Sequence, residues 1–183
     1  MKAQILTLRS ICEKIPVLFS CGEQTIIKSL LLDMNDQFIP FYGKDKFYRD
    51  VLKIYPNYSP KILQPEYNNA LRMVRMAYNF CHDYNEYILS KNTYFKTEWG
   101  VKFCFWESCE DYLKEREEEF KRLDGLILPI ECEFWDHYLP PNFFGDFSSF
   151  QSIIDPPEFS QIPKELPAIE SGFDYSPKNL IFY

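Results

Sequence analysis

Two histidines, His82 and His137, each stand beside an aspartate, as His82-Asp83 and Asp136-His137. Imidazole next to carboxylate is the raw material of general acid–base chemistry. Neighbouring side chains diverge on a helix or a strand, however, so each pair reads as a solvated or capping pair. Six cysteines sit at 12, 21, 81, 104, 109 and 132. A zinc site wants ligand pairs about two to four residues apart, and this spacing supplies none. A cysteine nucleophile needs a histidine that the fold brings close, and Cys132 with His137 is the one local pairing. Glu115 and the run Glu117 to Glu119 read as a solvated helix face rather than a metal site. No GxSxG elbow, GxxxxGK[ST] loop or GxGxxG turn occurs. The residues thus offer no catalytic, cofactor-binding or metal-ligating set, and the chain is expected not to be an enzyme.

The elements that would carry these groups are those of an ordinary globular protein. The chain has 183 residues, 46% of them hydrophobic and 26% charged, enough to bury a core without metal or disulfide. Aromatic residues are abundant at 18%, with Phe 17, Tyr 13 and Trp 3. No apolar run of about 18 residues exists, so no membrane span is expected. Arg9, Glu13 and Lys14 interrupt the apolar start of the chain, which argues against a secretory signal and for reduced, buried thiols. The net charge is −7 and uneven: residues 1–105 hold 14 basic and 10 acidic side chains, residues 106–183 hold 6 and 17. The back part, at −11, would repel a phosphate backbone and suit a basic partner surface, so direct nucleic-acid binding is disfavoured.

Three regions follow along the chain. In residues 1–65, a mixed segment, Glu23 to Met34 reads as a short helix with Ile26, Ile27, Leu30 and Leu31 on one face. From Gln37 to Pro65, Pro40, Pro56, Pro60 and Pro65 predict loops and short extended pieces. Residues 66–122 read as a helix pair. One stripe runs through Tyr67, Leu71, Val74, Tyr78, Cys81 and Ile88; the other runs through Phe95, Trp99, Phe103, Trp106, Leu113 and Phe120. Glu110–Lys114, Glu117–Lys121 and Glu118–Arg122 are spaced as stabilising pairs, Lys91-Asn92 would make the turn, and Gly100 a close crossing or a kink. Residues 123–183 hold eight of the 13 prolines and predict short strands joined by proline turns, too aromatic for a linker. The fold class is α+β: a helical core with a proline- and aromatic-rich C-terminal segment packed on it. Residues 66–183 form one domain that is compact with the first 65.

From Arg122 the chain reads RLDGLILPIECEFWDHYLPPNFFGDF. This resembles the C-terminal signature of the phage head morphogenesis family, the phage Mu F-like minor head proteins. Leu123, Asp124 and Gly125 match the family's turn, and Leu128 and Pro129 its strand. Phe134 and Trp135 match its aromatic pair, and Pro140, Pro141 and Asn142 its second turn. Gly172-Phe173-Asp174-Tyr175-Ser176-Pro177 is similar to a later Gly-Phe-x-x-Asn-Pro-Gly-Lys stretch, with Phe173 and Pro177 in register. Lys96-Thr97-Glu98 is similar to an upstream Arg-Thr-Glu helix. The likeness spans roughly residues 90–183. Gly145-Asp146-Phe147 stands where the family has Cys-Arg-Cys, the family's histidine ahead of the Leu-Asp-Gly turn is replaced, and Ser176-Pro177-Lys178-Asn179 stands for Asn-Pro-Gly-Lys. A metal or disulfide at that end of the relatives would have lost its ligands here.

The physics of these residues is architectural. Asp-Gly suits a turn with positive φ, Pro-Pro-Asn fixes a corner, and Phe134 and Trp135 on alternate faces would anchor the segment on the helices. The resemblance implies a non-enzymatic virion component, a minor head protein acting near the portal in head assembly or DNA delivery, present in host cytoplasm during assembly. Its partners would be other phage head proteins, including the portal, with no cofactor and no membrane. The alternative from a different class is a small acidic phage or host inhibitor that engages a basic surface of a partner enzyme.

Overall fold

The stripe beginning at Tyr67 folds as one long helix, Pro60–Ser90, in the computed structural model, which describes residues 7–16, 19–20, 24–32, 44–91, 98–108 and 110–180. Its first position is Pro60, where the missing N–H has no intrahelical partner to lose, and Ser59 ahead of it is extended. Leu63, Tyr67, Ala70, Leu71, Val74, Ala77 and Cys81 are buried along it. With 31 residues it reaches about 46 Å, far enough to carry two cores.

Its N-terminal half packs against three short helices. These are α1 (Leu8–Lys14), α2 (Gln24–Leu32) and α3 (Lys44–Ile54), so the long helix is α4. Thr7 and Ser10 close a capping box at the start of α1. The helix expected over Glu23 to Met34 is α2, but its inner face is Ile27 and Leu31, with Leu30 half-buried; Ile26 is exposed. The loops expected from Gln37 to Pro65 give way to α3 and, from Pro60, to the first turns of α4, which holds Pro65 inside it. Pro56 lies beyond the end of α3, and Phe47 and Val51, four residues apart, both reach the core. Prolines that bracket a segment do not break it. Phe47 lies 5.1 Å from the Tyr67 ring and joins Ile11, Ile15 and Leu63 in this first core.

The C-terminal half of α4 packs against an antiparallel sheet. Its central strand is β1 (Trp99–Cys104), flanked by β2 (Ile127–Pro129) and β3 (Ser149–Ile154), in the order β2-β1-β3. Val101 pairs with Leu128 on one side and Ser152 on the other. This corrects the second helical stripe. Phe95 lies outside the described residues, Trp99 to Phe103 are strand, and the α-helix α5 covers only Lys114–Lys121 after a 3-10 turn at Asp111–Leu113. A spacing of four serves either period, but Val101 and Phe103, two apart and both buried, follow the strand's alternation. Gly100 does mark a close approach, in the strand: a Cβ there would stand 3.1 Å from both Ile127 and Pro156. Of the expected turn, Asn92 lies outside the described residues.

The expected pairs on the acidic helix are also re-partnered. Lys114 and Glu117 approach to 3.7 Å, Arg116 and Glu119 to 2.7 Å, and Lys121 reaches Glu107 at 3.0 Å. Residues 110–113 are not α-helical, so Glu110 loses its four-residue register, and Glu117 turns inward.

Phe80, Tyr87, Val101, Phe103, Phe120, Leu128, Trp135 and Phe143 form the second core. Phe173 and Leu180 return to the first. The fold is α+β. α4 crosses the boundary expected between residues 65 and 66 and belongs to both cores.

Candidate functional site

The motif residues between Leu123 and Pro177 interlock. After α5 the Leu123-Asp124-Gly125 turn hands the chain to β2. Leu123 is buried, Asp124 Oδ1 accepts the Phe105 N–H at 3.0 Å, and Gly125 takes φ +80° while donating to Phe103 O at 2.9 Å. Leu128 enters the core and Pro129 offers its carbonyl to the Trp135 indole N–H at 3.1 Å. Phe134 and Trp135 lie on a 3-10 turn, Glu133–Asp136, and both are buried, edge to face at 5.0 Å. The expectation of a strand with alternating faces is therefore corrected: a turn lets both rings face inward. Pro140 and Pro141, joined by a cis bond, are buried. Asn142 behind them is fully buried; its N–H donates to Asp146 Oδ2 at 2.7 Å, and its carbonyl accepts the Glu170 N–H at 3.1 Å. Phe173 and Pro177 are buried too, and the Cys81 thiol donates to the Pro177 carbonyl at 3.3 Å. Of Lys96-Thr97-Glu98, only Glu98 lies within the described residues.

The acid–base candidates are spent on the same clamp. His137 Nδ1 lies 2.7 Å from Asp174, not against its neighbour Asp136. Asp136 accepts from Ser176 Oγ at 2.7 Å and pairs with Lys178 at 3.2 Å. Lys178 also donates to the Glu131 and Cys132 carbonyls at 3.0 and 2.8 Å. Cys132 thus takes part through its backbone. His82 lies 3.4 Å from Asp83, whose second oxygen accepts the Ser152 hydroxyl and ties α4 to β3. Glu117 is a correction: it is buried, and its Oε1 accepts the Ser108 N–H, so the acidic run is a solvated face only in part. Burial pushes the Cys12 and Cys81 thiols up to about 12, which keeps them protonated and unreactive. Among the described residues no three His, Cys, Asp or Glu side chains gather as a metal site.

One cavity of about 640 Å³ lies where the N-terminal part of α4 faces the 110–113 turn and the 145–147 loop. Gly145, at φ +86°, presses that loop onto Leu113; a Cβ would come within 2.8 Å of Leu113 Cδ1. Phe147 lies under the Arg72 guanidinium at 5.0 Å, and Arg72 Nη2 donates to the Ser148 carbonyl at 3.0 Å. Arg72 Nε is buried with no partner. Burial lowers the Arg72 pKa, and the nearby Asp146 carboxylate opposes that shift. One turn earlier, Asn69 is 4% exposed; its Nδ2 contacts Met73 Sδ at 4.0 Å, and its Oδ1 has no partner. Buried polar atoms without partners are uncommon and ask for a reason. Sequence reading missed both residues. The one signal was a cation, Arg72, set between the apolar Leu71 and Met73.

Comparison with protein-family models, with curated proteins and with solved structures yields no match.

Proposed function

We propose that the chain is a non-enzymatic structural component of a phage head, a minor head protein that works near the portal in head assembly or DNA delivery. The observation that supports this most is the placement of the motif: Leu123, Trp135, Pro141, Asn142 and Phe173 are all buried in one clamp. Residues used as architecture fit a family likeness that is itself architectural. Asp83, Asp136 and His137 are engaged in cross-links between segments, which suits a building block better than a catalyst. The test is a deletion of the gene in its phage, complemented in trans. Deletion is expected to lower the yield of infectious heads, and a Cys132→Ser, His137→Gln double variant to restore it. A deletion strain that makes normal infectious heads would overturn the assignment.

The acidic surface favours a second reading, an inhibitor of a partner enzyme. Glu107, Glu110, Asp111, Glu115 and Glu118 are exposed together around α5. That reading requires salt-sensitive binding to a single basic partner, with no chain found in particles.

A further inference from the structure

We propose that the outer edge of β3 is a docking site for an extended segment of a partner protein, which adds to the sheet as an antiparallel fourth strand and sets a lysine or arginine beside Asp83. None of the motif residues lies on this edge, so the site does not depend on whether the chain is a head component.

The ladder shows which backbone groups are free. Trp99 O accepts the Ile130 N–H at 3.0 Å, and the Phe103 N–H donates to Leu126 O at 2.8 Å, so the odd-numbered positions of β1 bond toward β2. The even-numbered ones therefore bond toward β3, where Gly100, Lys102 and Cys104 face Ile153, Gln151 and Ser149. The N–H and C=O groups of Phe150, Ser152 and Ile154 point the other way, and among the described residues they have no backbone partner. The opposite edge of the sheet is closed. There the Ser160 N–H donates to Ile127 O at 2.7 Å, and Ser160 Oγ accepts the Ile127 N–H at 3.0 Å. Open edges are commonly guarded by charge or proline, yet the run from Phe147 to Ile154, FSSFQSII, holds neither. Donors and acceptors alternating along one edge are answered by another extended backbone.

The side chains beside the edge define what that backbone carries. Phe150 packs edge to face on Phe80 of α4 at 5.8 Å, and the Ser152 hydroxyl donates to Asp83 of the same helix. Ile154, next on that face, is 59% exposed. A partner residue opposite Ser152 would stand about 5 Å from it, which lets a lysine or arginine reach the Asp83 carboxylate. His82 approaches that carboxylate at 3.4 Å, too far to saturate it. Partner residues two positions to either side would meet Phe150 and Ile154, so the sequence read is apolar–x–cation–x–apolar. Glu98 and Asp155, exposed at the end of the strand, add to the negative field. Arg72, at the other end, is spent on the Ser148 carbonyl and the Phe147 ring. A second copy is the poorer occupant: pairing β3 with itself brings two Asp83 carboxylates together and joins two molecules of net charge −7.

The test uses the full chain, labelled with ¹⁵N, and a soluble peptide, acetyl-Thr-Val-Thr-Lys-Thr-Val-Thr-amide. Saturating peptide is expected to slow hydrogen exchange about tenfold or more at the Phe150, Ser152 and Ile154 amides, and to leave Gln151 and Ile153, already bonded to β1, unchanged. Binding elsewhere would not produce that alternation. N-methylation of the peptide's lysine amide, which points at β3, is expected to abolish binding. Glutamate in place of the lysine is expected to weaken it about fivefold or more. Asp83→Asn keeps an acceptor for Ser152 and removes the charge, so it is expected to bind both peptides alike. No gain in protection at the three amides, undiminished binding of the N-methyl peptide, or equal affinity of the parent chain for the lysine and glutamate peptides would each overturn the proposal. Protection of the same amides that rises with the concentration of the free chain would overturn it too, by giving the edge to a second copy.

Discussion

At the scale of single residues, the clamp turns on a few positions where chemistry leaves little choice. Trp135 is fully buried and its indole N–H is held by Pro129. Trp135→Ala is expected to cost about 3–5 kcal/mol by urea denaturation, from lost burial and the cavity left behind. Two of the left-handed glycines, Gly125 and Gly145, separate backbone strain from crowding. A Cβ at Gly125 meets nothing within 4 Å, whereas at Gly145 it strikes Leu113. Gly125→Ala is therefore expected to cost about 1–2 kcal/mol from conformation alone, and Gly145→Ala measurably more. The thiols make a third check. Cys12 and Cys81 are fully buried, so an alkylating reagent at mild pH is expected to label them only once the chain unfolds. Labelling of either at the rate of a free thiol would contradict the packing.

Elements show where sequence reading succeeds and where it runs out. The stripe from Tyr67 to Cys81 was legible because Tyr67, Leu71, Val74 and Cys81, all buried on one long helix, repeat a single period. α3 was not, because Pro40 and Pro56 drew attention to breaks and away from Phe47 and Val51 between them. β1 was misread since Trp99, Phe103 and Trp106 fit a helical spacing, and only the core's need for Val101 beside Phe103 decides for a strand. The pairing of Lys91 and Tyr87, at the end of α4, with Glu131 is a feature that local sequence could not show. The Lys91 ammonium and the Tyr87 hydroxyl hold the Glu131 carboxyl below its ordinary value of 4.5. A depressed carboxylate contributes stability that is full above 4.5 and is lost as the pH falls through its lower folded value. Glu131→Gln is expected to flatten the acid limb of a denaturation-midpoint profile while changing little at neutral pH, because the pair is half exposed. An unchanged acid limb would mean that the tie does not hold in solution.

For the whole molecule, one helix carries two cores, and the chain's last described turn closes back onto the first of them. The motif residues were legible as architecture because proline, glycine and buried aromatics announce corners and anchors by type alone. The cavity was not legible, since it joins residues 61–72 to residues 110–113 and 145–147, and nothing local in any of these segments marks the others. Two cores built on one helix leave exposed acidic side chains around α5 and a cavity of about 640 Å³ beside the N-terminal part of α4. The most direct measurement is quantitative mass spectrometry of gradient-purified particles from the phage that encodes the chain. A small, fixed number of copies per particle, retained through high-salt washing, is the expected result; particles that are infectious and contain none would contradict it.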